Sequence, residues 1–271
     1  MPELPEVETI VRDLSGMITG RLIVGVRVLK PDLIGGDGPA SFARALEGSR
    51  IHEITRRAKN LVFDLGDGRL VVNLGMTGRL LVTQPDSPLP PHLGVRFDLD
   101  DSRVLLYQDV RRFGRLERLT ANEWATRDAA LGLEPLSVSF DDAELYRLTR
   151  GSRVAIKTWL MDQRRVVGIG NIYASEALHR ARIDPRRAAR RITRKQAAAL
   201  RTAVQEVLQD AIDFRGTTLL DYRDAAGERG EFAARLKVYD RGGEPCRTCG
   251  EPIRRIVQGG RSTFFCPHCQ K

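Results

Sequence analysis

Two groups of residues, one at each end of this 271-residue chain, have types and spacing suited to chemistry. The chain starts Met1-Pro2-Glu3-Leu4-Pro5-Glu6. Removal of Met1 leaves Pro2 as a terminal secondary amine. A terminal amine titrates near ~7.7–8.0, so roughly a tenth of it is neutral and nucleophilic at pH 7. Such amines form Schiff bases with carbonyl-like carbons. The iminium made by a secondary amine has no proton to lose from nitrogen. It stays cationic and draws electrons for elimination, with Glu3 beside it as a proton donor. With Met1 retained, the Pro2 nitrogen is an amide and this chemistry is closed.

At the other end, all four cysteines fall in the last 26 residues, as Cys246-x2-Cys249-x16-Cys266-x2-Cys269. Two such knuckles supply four thiolates for one tetrahedral Zn²⁺. Four sulfurs close the coordination shell, so the ion is expected to be structural rather than catalytic. Two disulfides are the alternative, and they suit a chain with no secretory signal poorly. His268 lies next to a knuckle but is not needed as a ligand. Residues 253–257 and 262–265 read as two strands around Gln258-Gly259-Gly260-Arg261. This puts Arg261 at a hairpin tip, within reach of a phosphate.

A terminal nucleophile works only if it is held. Pro5 suits the first turn of a helix, where a missing N–H costs little. Glu6 and Glu8 put negative charge at the positive helix end. Val7, Ile10, Val11 and Leu14 form one apolar stripe that can anchor that helix.

From there to about residue 120 the chain reads as strands. Residues 61–65 alternate, turn through Gly66-Asp67-Gly68 and return over 69–74. Residues 95–99 and 104–108 form a second hairpin, and 84–91 is a proline-rich loop. This much strand with one helix predicts a β-sandwich. After residue 121 the pattern becomes helical. Asp141 with Glu144 caps a helix to about residue 150. Ser152 caps another through 161, Gly168-Ile169-Gly170-Asn171 turns into a helix from 172 to 181, and Thr193 caps a long helix that Gly216 follows. Residues 217–231 lack periodicity and read as a mobile loop. The predicted class is an α+β multidomain chain. Its parts are a 1–120 catalytic β-sandwich with a leading helix, a 121–135 linker, a 136–240 helical domain with the 217–231 loop, and a 241–271 zinc-ribbon hairpin.

The net charge is +9, unevenly spread. Residues 1–135 carry 18 Lys+Arg against 19 Asp+Glu, whereas 136–271 carry 26 against 16. A basic second half suits a polyanion such as nucleic acid. No apolar run is long enough for a membrane span, and an acidic start without an apolar run predicts a cytoplasmic protein. With no spare apolar stripe, a monomer is expected. Only six of the 44 basic residues are lysines, which draws attention to Lys59, Lys157 and Lys237.

The proline start, the Arg56-Arg57-Ala58-Lys59-Asn60 segment, LGMTG at 74–78, Arg111-Arg112-Phe113-Gly114, GIGNIYASEAL at 168–178 and the cysteine knuckles resemble, in that order, the formamidopyrimidine-DNA glycosylase (Fpg) family. The resemblance covers nearly the whole chain. It implies a helix–two-turns–helix element in the helical domain, with Lys157 and Asn171 as phosphate contacts and His92, Arg112 and Arg261 as further DNA contacts. It implies that Met76, Arg111 and Phe113 wedge into the space of an extruded base. An enzyme acting on a base must take it out of the stack, so such a wedge has a mechanical purpose. Val110 stands where many relatives have proline, a departure in the wedge loop. Pro2, Glu3 and Lys59 are then the catalytic residues, with loop 217–231 closing over the lesion. The implied activity is excision of oxidised purines, 8-oxoguanine opposite cytosine and formamidopyrimidines, from double-stranded DNA. Strand cleavage by β,δ-elimination follows, with one structural zinc and no catalytic metal. A relative of the Nei type, acting on oxidised pyrimidines, is the rival within the superfamily. From other classes, a non-enzymatic zinc-ribbon DNA-binding protein leaves Pro2–Glu3 unexplained, and a Lys59 Schiff-base enzyme leaves the basic half unexplained.

Overall fold

The computed structural model describes residues 2–36, 38–219, 222–225 and 227–271. The chain forms two compact units: residues 1–129 with 214–233, and residues 130–213 with 234–271. Met1, whose removal the proline chemistry requires, lies outside the described residues, as do 220, 221 and 226 of the 217–231 loop.

The first unit opens with helix α1 (Leu4–Ile18). Its stripe is buried as the spacing predicts, with Val7, Ile10, Val11 and Leu14 in the core. The strands and α-helices that follow are β1 (Ile23–Val28), α2 (Pro39–Leu46), β2 (Glu53–Arg57), β3 (Asn60–Asp64), β4 (Gly68–Asn73), β5 (Gly78–Thr83), β6 (Leu93–Leu99), β7 (Val104–Asp109), β8 (Arg115–Thr120) and α3 (Ala121–Ala129). The strands form two antiparallel four-stranded sheets, ordered β1-β6-β7-β5 and β2-β3-β4-β8. One apolar core joins both sheets and α1, taking in Phe63, Leu70 and Val72 from one sheet and Val95, Phe97 and Tyr107 from the other. Burial of a side chain of this size contributes about 1.5–3 kcal/mol.

Two helices were not expected from the periodicity. Helix α2 is short and buries only Phe42 and Leu46. Helix α3 occupies most of the segment read as a linker. Thr120 Oγ1 accepts from Glu123 N at 3.3 Å and Glu123 Oε2 accepts from Thr120 N at 2.8 Å. That reciprocal capping box is a sequence signal that was there to be read.

The second unit holds α4 (Asp142–Arg150), α5 (Ile156–Leu160), α6 (Asn171–Arg180), α7 (Arg194–Asp213), β9 (Arg254–Gln258) and β10 (Arg261–Phe265). Asp141 Oδ1 accepts from Glu144 N at 2.7 Å, so α4 starts where the capping residues place it. Thr193 and Gln196 make the same kind of box for α7, whose Leu200, Val204, Val207, Leu208 and Ala211 are buried. Helix α5 is shorter than expected because Val154 and Ile156 pair through their backbones with Ala189 and Arg187. An extended segment held in that way cannot also close helical bonds. Among the described residues, no helix is long and apolar enough to cross a membrane.

Candidate active site and nucleic-acid interface

Pro2 is buried at the head of α1, and Glu3 is 2 % exposed. Glu3 is the N-cap and forms a capping box with Glu6, whose Oε2 accepts from Glu3 N at 2.8 Å. The first residues are therefore held by the helix that follows them, rather than frayed.

Glu6 does more than cap. Its other oxygen, Oε1, accepts from Thr217 N at 2.7 Å, and its backbone carbonyl accepts from Tyr222 Oη at 3.4 Å. A buried carboxylate is costly unless hydrogen-bonded, and here backbone amides supply the bonds. Glu6 thus ties the 214–233 segment to the start of α1. Arg215 strengthens the tie, pairing with Asp224 and, at 2.7 Å, with Asp13 of α1. The hydrogen bond to Asp224 raises the Arg215 pKa above its ordinary value. Burial, reinforced by the negative charge of Glu6, raises that of Tyr222, so its hydroxyl stays neutral well beyond the usual tyrosine range. The described part of the expected mobile loop is thus anchored at several points.

Lys59 sits half-buried in the two-residue turn between β2 and β3, beside Ala58 at φ 57°. Ser15 Oγ donates to Ile54 O at 3.3 Å, and Arg56 Nε donates to Glu8 Oε2 at 3.0 Å. Strand β2 therefore runs toward the N-terminal end of α1, and the Lys59 turn continues in the direction of Pro2.

The three wedge candidates share one corner of the first unit. Met76 lies in the turn before β5, and Arg111 and Phe113 lie in the loop between β7 and β8. Met76 is 37 % and Phe113 58 % exposed, and the Arg111 guanidinium lies 4.7 Å from the Phe113 ring centroid. Beneath them is Asp109, 1 % exposed. Its Oδ1 accepts from Thr77 Oγ1 and Arg111 N, and its Oδ2 accepts from Gly114 N at 2.8 Å and Tyr107 Oη at 3.4 Å. One carboxylate thus fastens the Met76 turn to the Arg111–Phe113 loop. Gly75, at φ 55°, makes the close approach possible, since a Cβ there would stand 2.5 Å from the carbonyl carbon of Phe113. His92 is exposed beside this corner, its carbonyl accepting from Asp109 N at 3.1 Å. Arg112 is exposed and pairs with Asp32 at 3.3 Å.

In the second unit, Asn171 is the first residue of α6, following Gly170 as N-cap. Its Nδ2 donates to Ser262 O at 3.0 Å, and its Oδ1 accepts from Lys157 Nζ. Lys157 is not an open cation. It is 1 % exposed, and Nζ also donates to Thr263 Oγ1 at 2.8 Å and Ser262 O at 3.1 Å. Its place in this structure is beneath Asn171, joining α5, α6 and the β9–β10 hairpin. Arg261 opens β10 and is exposed, directly after Gly259 and Gly260. Both glycines have positive φ, 53° and 73°, as a tight two-residue hairpin turn requires. Glu176, buried on α6, accepts from the backbone N–H groups of Lys237, Val238 and Tyr239 at 2.8–2.9 Å.

The four cysteine sulfurs lie within 4.8 Å of one another. Cys249 and Cys266 Sγ are 3.4 Å apart and Cys246 and Cys269 Sγ 4.0 Å, far beyond a disulfide bond. Tetrahedral zinc at about 2.3 Å from each sulfur sets the sulfurs about 3.8 Å apart. Amides of the knuckles point inward, Thr248 N donating to Cys246 Sγ and Cys269 N to Cys266 Sγ, each at 3.4 Å. The donor set fits one structural zinc held by Cys246, Cys249, Cys266 and Cys269.

Asp109 and Glu176 were not singled out from the sequence, and Glu6 was read only as a charge at the start of the first helix. Glu6 carried a signal, since Glu3 and Glu6 have capping-box spacing. Asp109 and Glu176 carried none, because their partners are backbone amides of distant or irregular segments and, for Asp109, two hydroxyls that no spacing links to it.

Residues 1–116 match the formamidopyrimidine-DNA glycosylase N-terminal domain, 131–222 its H2TH domain, and 243–271 a zinc finger found in FPG and IleRS. The formamidopyrimidine-DNA glycosylases of Chloroflexus aggregans and Syntrophotalea carbinolica are each 45 % identical to this chain. Those alignments cover all of this chain and 98 % and 100 % of theirs. A Lactococcus lactis FPG mutant, solved with Fapy-dG-containing DNA, superposes over the full length of both chains with a TM-score of 0.93 at 34 % identity. The same protein bound to abasic-site DNA gives 0.93 over 99 % of each chain. The chain belongs to the formamidopyrimidine-DNA glycosylase family.

Proposed function

We propose that this protein, acting as a single chain on double-stranded DNA, excises oxidised purines and then cleaves the strand at the resulting site. The observation that carries this reading is the N-terminus itself. Pro2 and Glu3 are buried at the head of an anchored helix, and the carboxylate that caps that helix also holds the 214–233 segment.

With Met1 removed, the Pro2 nitrogen attacks the anomeric sugar carbon. The glycosidic bond breaks and the base leaves with the bonding electrons, taking a proton that Lys59 can supply. Glu3 takes the proton released from the Pro2 nitrogen and passes it to the sugar ring oxygen as the ring opens, leaving an iminium on Pro2. The iminium acidifies the adjacent sugar protons. Successive β- and δ-elimination then break the bonds to the 3′ and 5′ phosphates, leaving a one-nucleotide gap. Met76, Arg111 and Phe113 fill the space left by the extruded base. Asn171, Arg261, Arg112 and His92 hold the backbone, and Lys157 acts by positioning Asn171. Cys246, Cys249, Cys266 and Cys269 would hold a structural zinc, which would staple the ribbon that carries Arg261.

Cleavage of matched duplexes tests the substrate class. A duplex with 8-oxoguanine opposite cytosine should be cut to a gap with phosphate at both ends. A duplex carrying an oxidised pyrimidine should be cut at least about tenfold more slowly. Equal or faster cleavage of the pyrimidine substrate would move the reading to the Nei type, and cleavage of neither would remove the lyase.

A further inference from the structure

Helix α6 meets the zinc ribbon at three heights. At its start Asn171 bonds Ser262 of β10, in its middle Glu176 collects three amides of the segment leading to the ribbon, and near its end His179 reaches the metal site. The His179 Nε2 lies 3.8 Å from Cys246 Sγ. Both residues are buried, His179 at 8 % exposure and Cys246 at 3 %.

The chemistry of the metal site decides the direction of this contact. A zinc-bound thiolate has no proton and can only accept, so the Nε2 must carry the hydrogen. Cys246 then accepts from Thr248 N of its own knuckle and from an imidazole of the helical motif. A donor of this kind restricts where the sulfur can sit and draws charge from it, and such outer partners govern both metal retention and ligand electronics.

We propose that His179 is a positioning residue for the zinc, its Nε2–H fixing the Cys246 thiolate and tying the metal to α6. The hydrogen bond slows zinc loss and lowers the energy of the sulfur lone pairs. This residue lies 67 positions from its cysteine, outside the zinc-finger segment, and no spacing in the sequence suggests it.

The test uses the full-length protein with His179→Leu and His179→Gln. Leucine fills much of the ring's volume without a donor, while the glutamine amide restores an N–H on a flexible stem. Zinc release is followed by the colour of a chromophoric chelator added in excess. Cobalt-loaded protein reports the sulfur-to-metal charge-transfer band. His179→Leu should release zinc about 10–100-fold faster and move that band to longer wavelength. His179→Gln should return both readouts toward wild type. Unchanged release and an unmoved band in His179→Leu would overturn the proposal. Equal acceleration in both variants with the band unmoved would also overturn it, by reducing the contact to packing.

Discussion

The two units solve the same problem in opposite ways. In the first, the groups proposed to face the substrate are few, lie on turns and a terminus, and are held from beneath by the buried carboxylates Glu6 and Asp109. In the second, the residues expected to bind phosphate are themselves knitted into the structure. Lys157 is fully buried, and Asn171 is bonded to the hairpin. A third buried carboxylate, Glu176, seats the segment leading to the ribbon on α6. The first unit separates presentation from support, whereas the second merges them. Its damage should therefore appear as lost binding, and damage to the first unit's carboxylates as lost chemistry.

Asp109→Ala should break the first arrangement most severely. It strands the Gly114 amide and the Thr77 and Tyr107 hydroxyls in a buried site, at about 3–5 kcal/mol of stability by urea denaturation. Asp109→Asn, which keeps the shape and one acceptor, should lose about half as much. A loss in Asp109→Ala of under about 1 kcal/mol would mean that water satisfies the wedge loop. Next in size is the pair Glu6→Ala and Glu176→Ala, each removing a carboxylate with two or three amide partners and costing about 2–3 kcal/mol. They should part company in function. Glu6→Ala should lower single-turnover cleavage about 100-fold with DNA affinity nearly intact, while Glu176→Ala should weaken affinity and leave the bound rate unchanged. The same functional pattern in both would dissolve the distinction between the units.

Much of this organisation was legible in the sequence, and the part that was not has a common cause. The stripe of α1, the caps of α4 and α7 and the hairpin about Gly66–Gly68 depend on neighbours within a few residues, so their signals are local. The cysteine knuckles are equally local. Glu176 acts through backbone amides alone and Asp109 largely so; every residue except proline carries an amide N–H, so no residue type in the partner segment betrays them. Lys157 shows the converse. Its match to a phosphate contact was readable, but its burial depends on Thr263, more than a hundred residues away. Helix α5 is short for a similar reason, because the pairing of Val154 and Ile156 with Ala189 and Arg187 is non-local.

Smaller effects sharpen the picture at its edges. Arg261→Ala removes an exposed cation, so duplex affinity should fall several-fold with zinc retained, and the salt slope should shrink by about one. An unchanged slope would take Arg261 off the phosphate backbone. Tyr222 offers a pH test. Burial raises its pKa in the folded protein, so its contribution is fully present below ~10, the unfolded value, and falls as pH rises beyond it. Tyr222→Phe should flatten the alkaline decline in stability, and a decline of the same steepness would show that the phenol is solvated.

The central claim is that Pro2 is the nucleophile. Protein lacking Met1 is incubated with an 8-oxoguanine:cytosine duplex under borohydride, digested, and the adduct mapped by mass spectrometry. A reduced sugar remnant is expected on the Pro2 nitrogen of the N-terminal peptide, and none from protein that retains Met1. An adduct on Lys59, or undiminished trapping with Met1 in place, would contradict it.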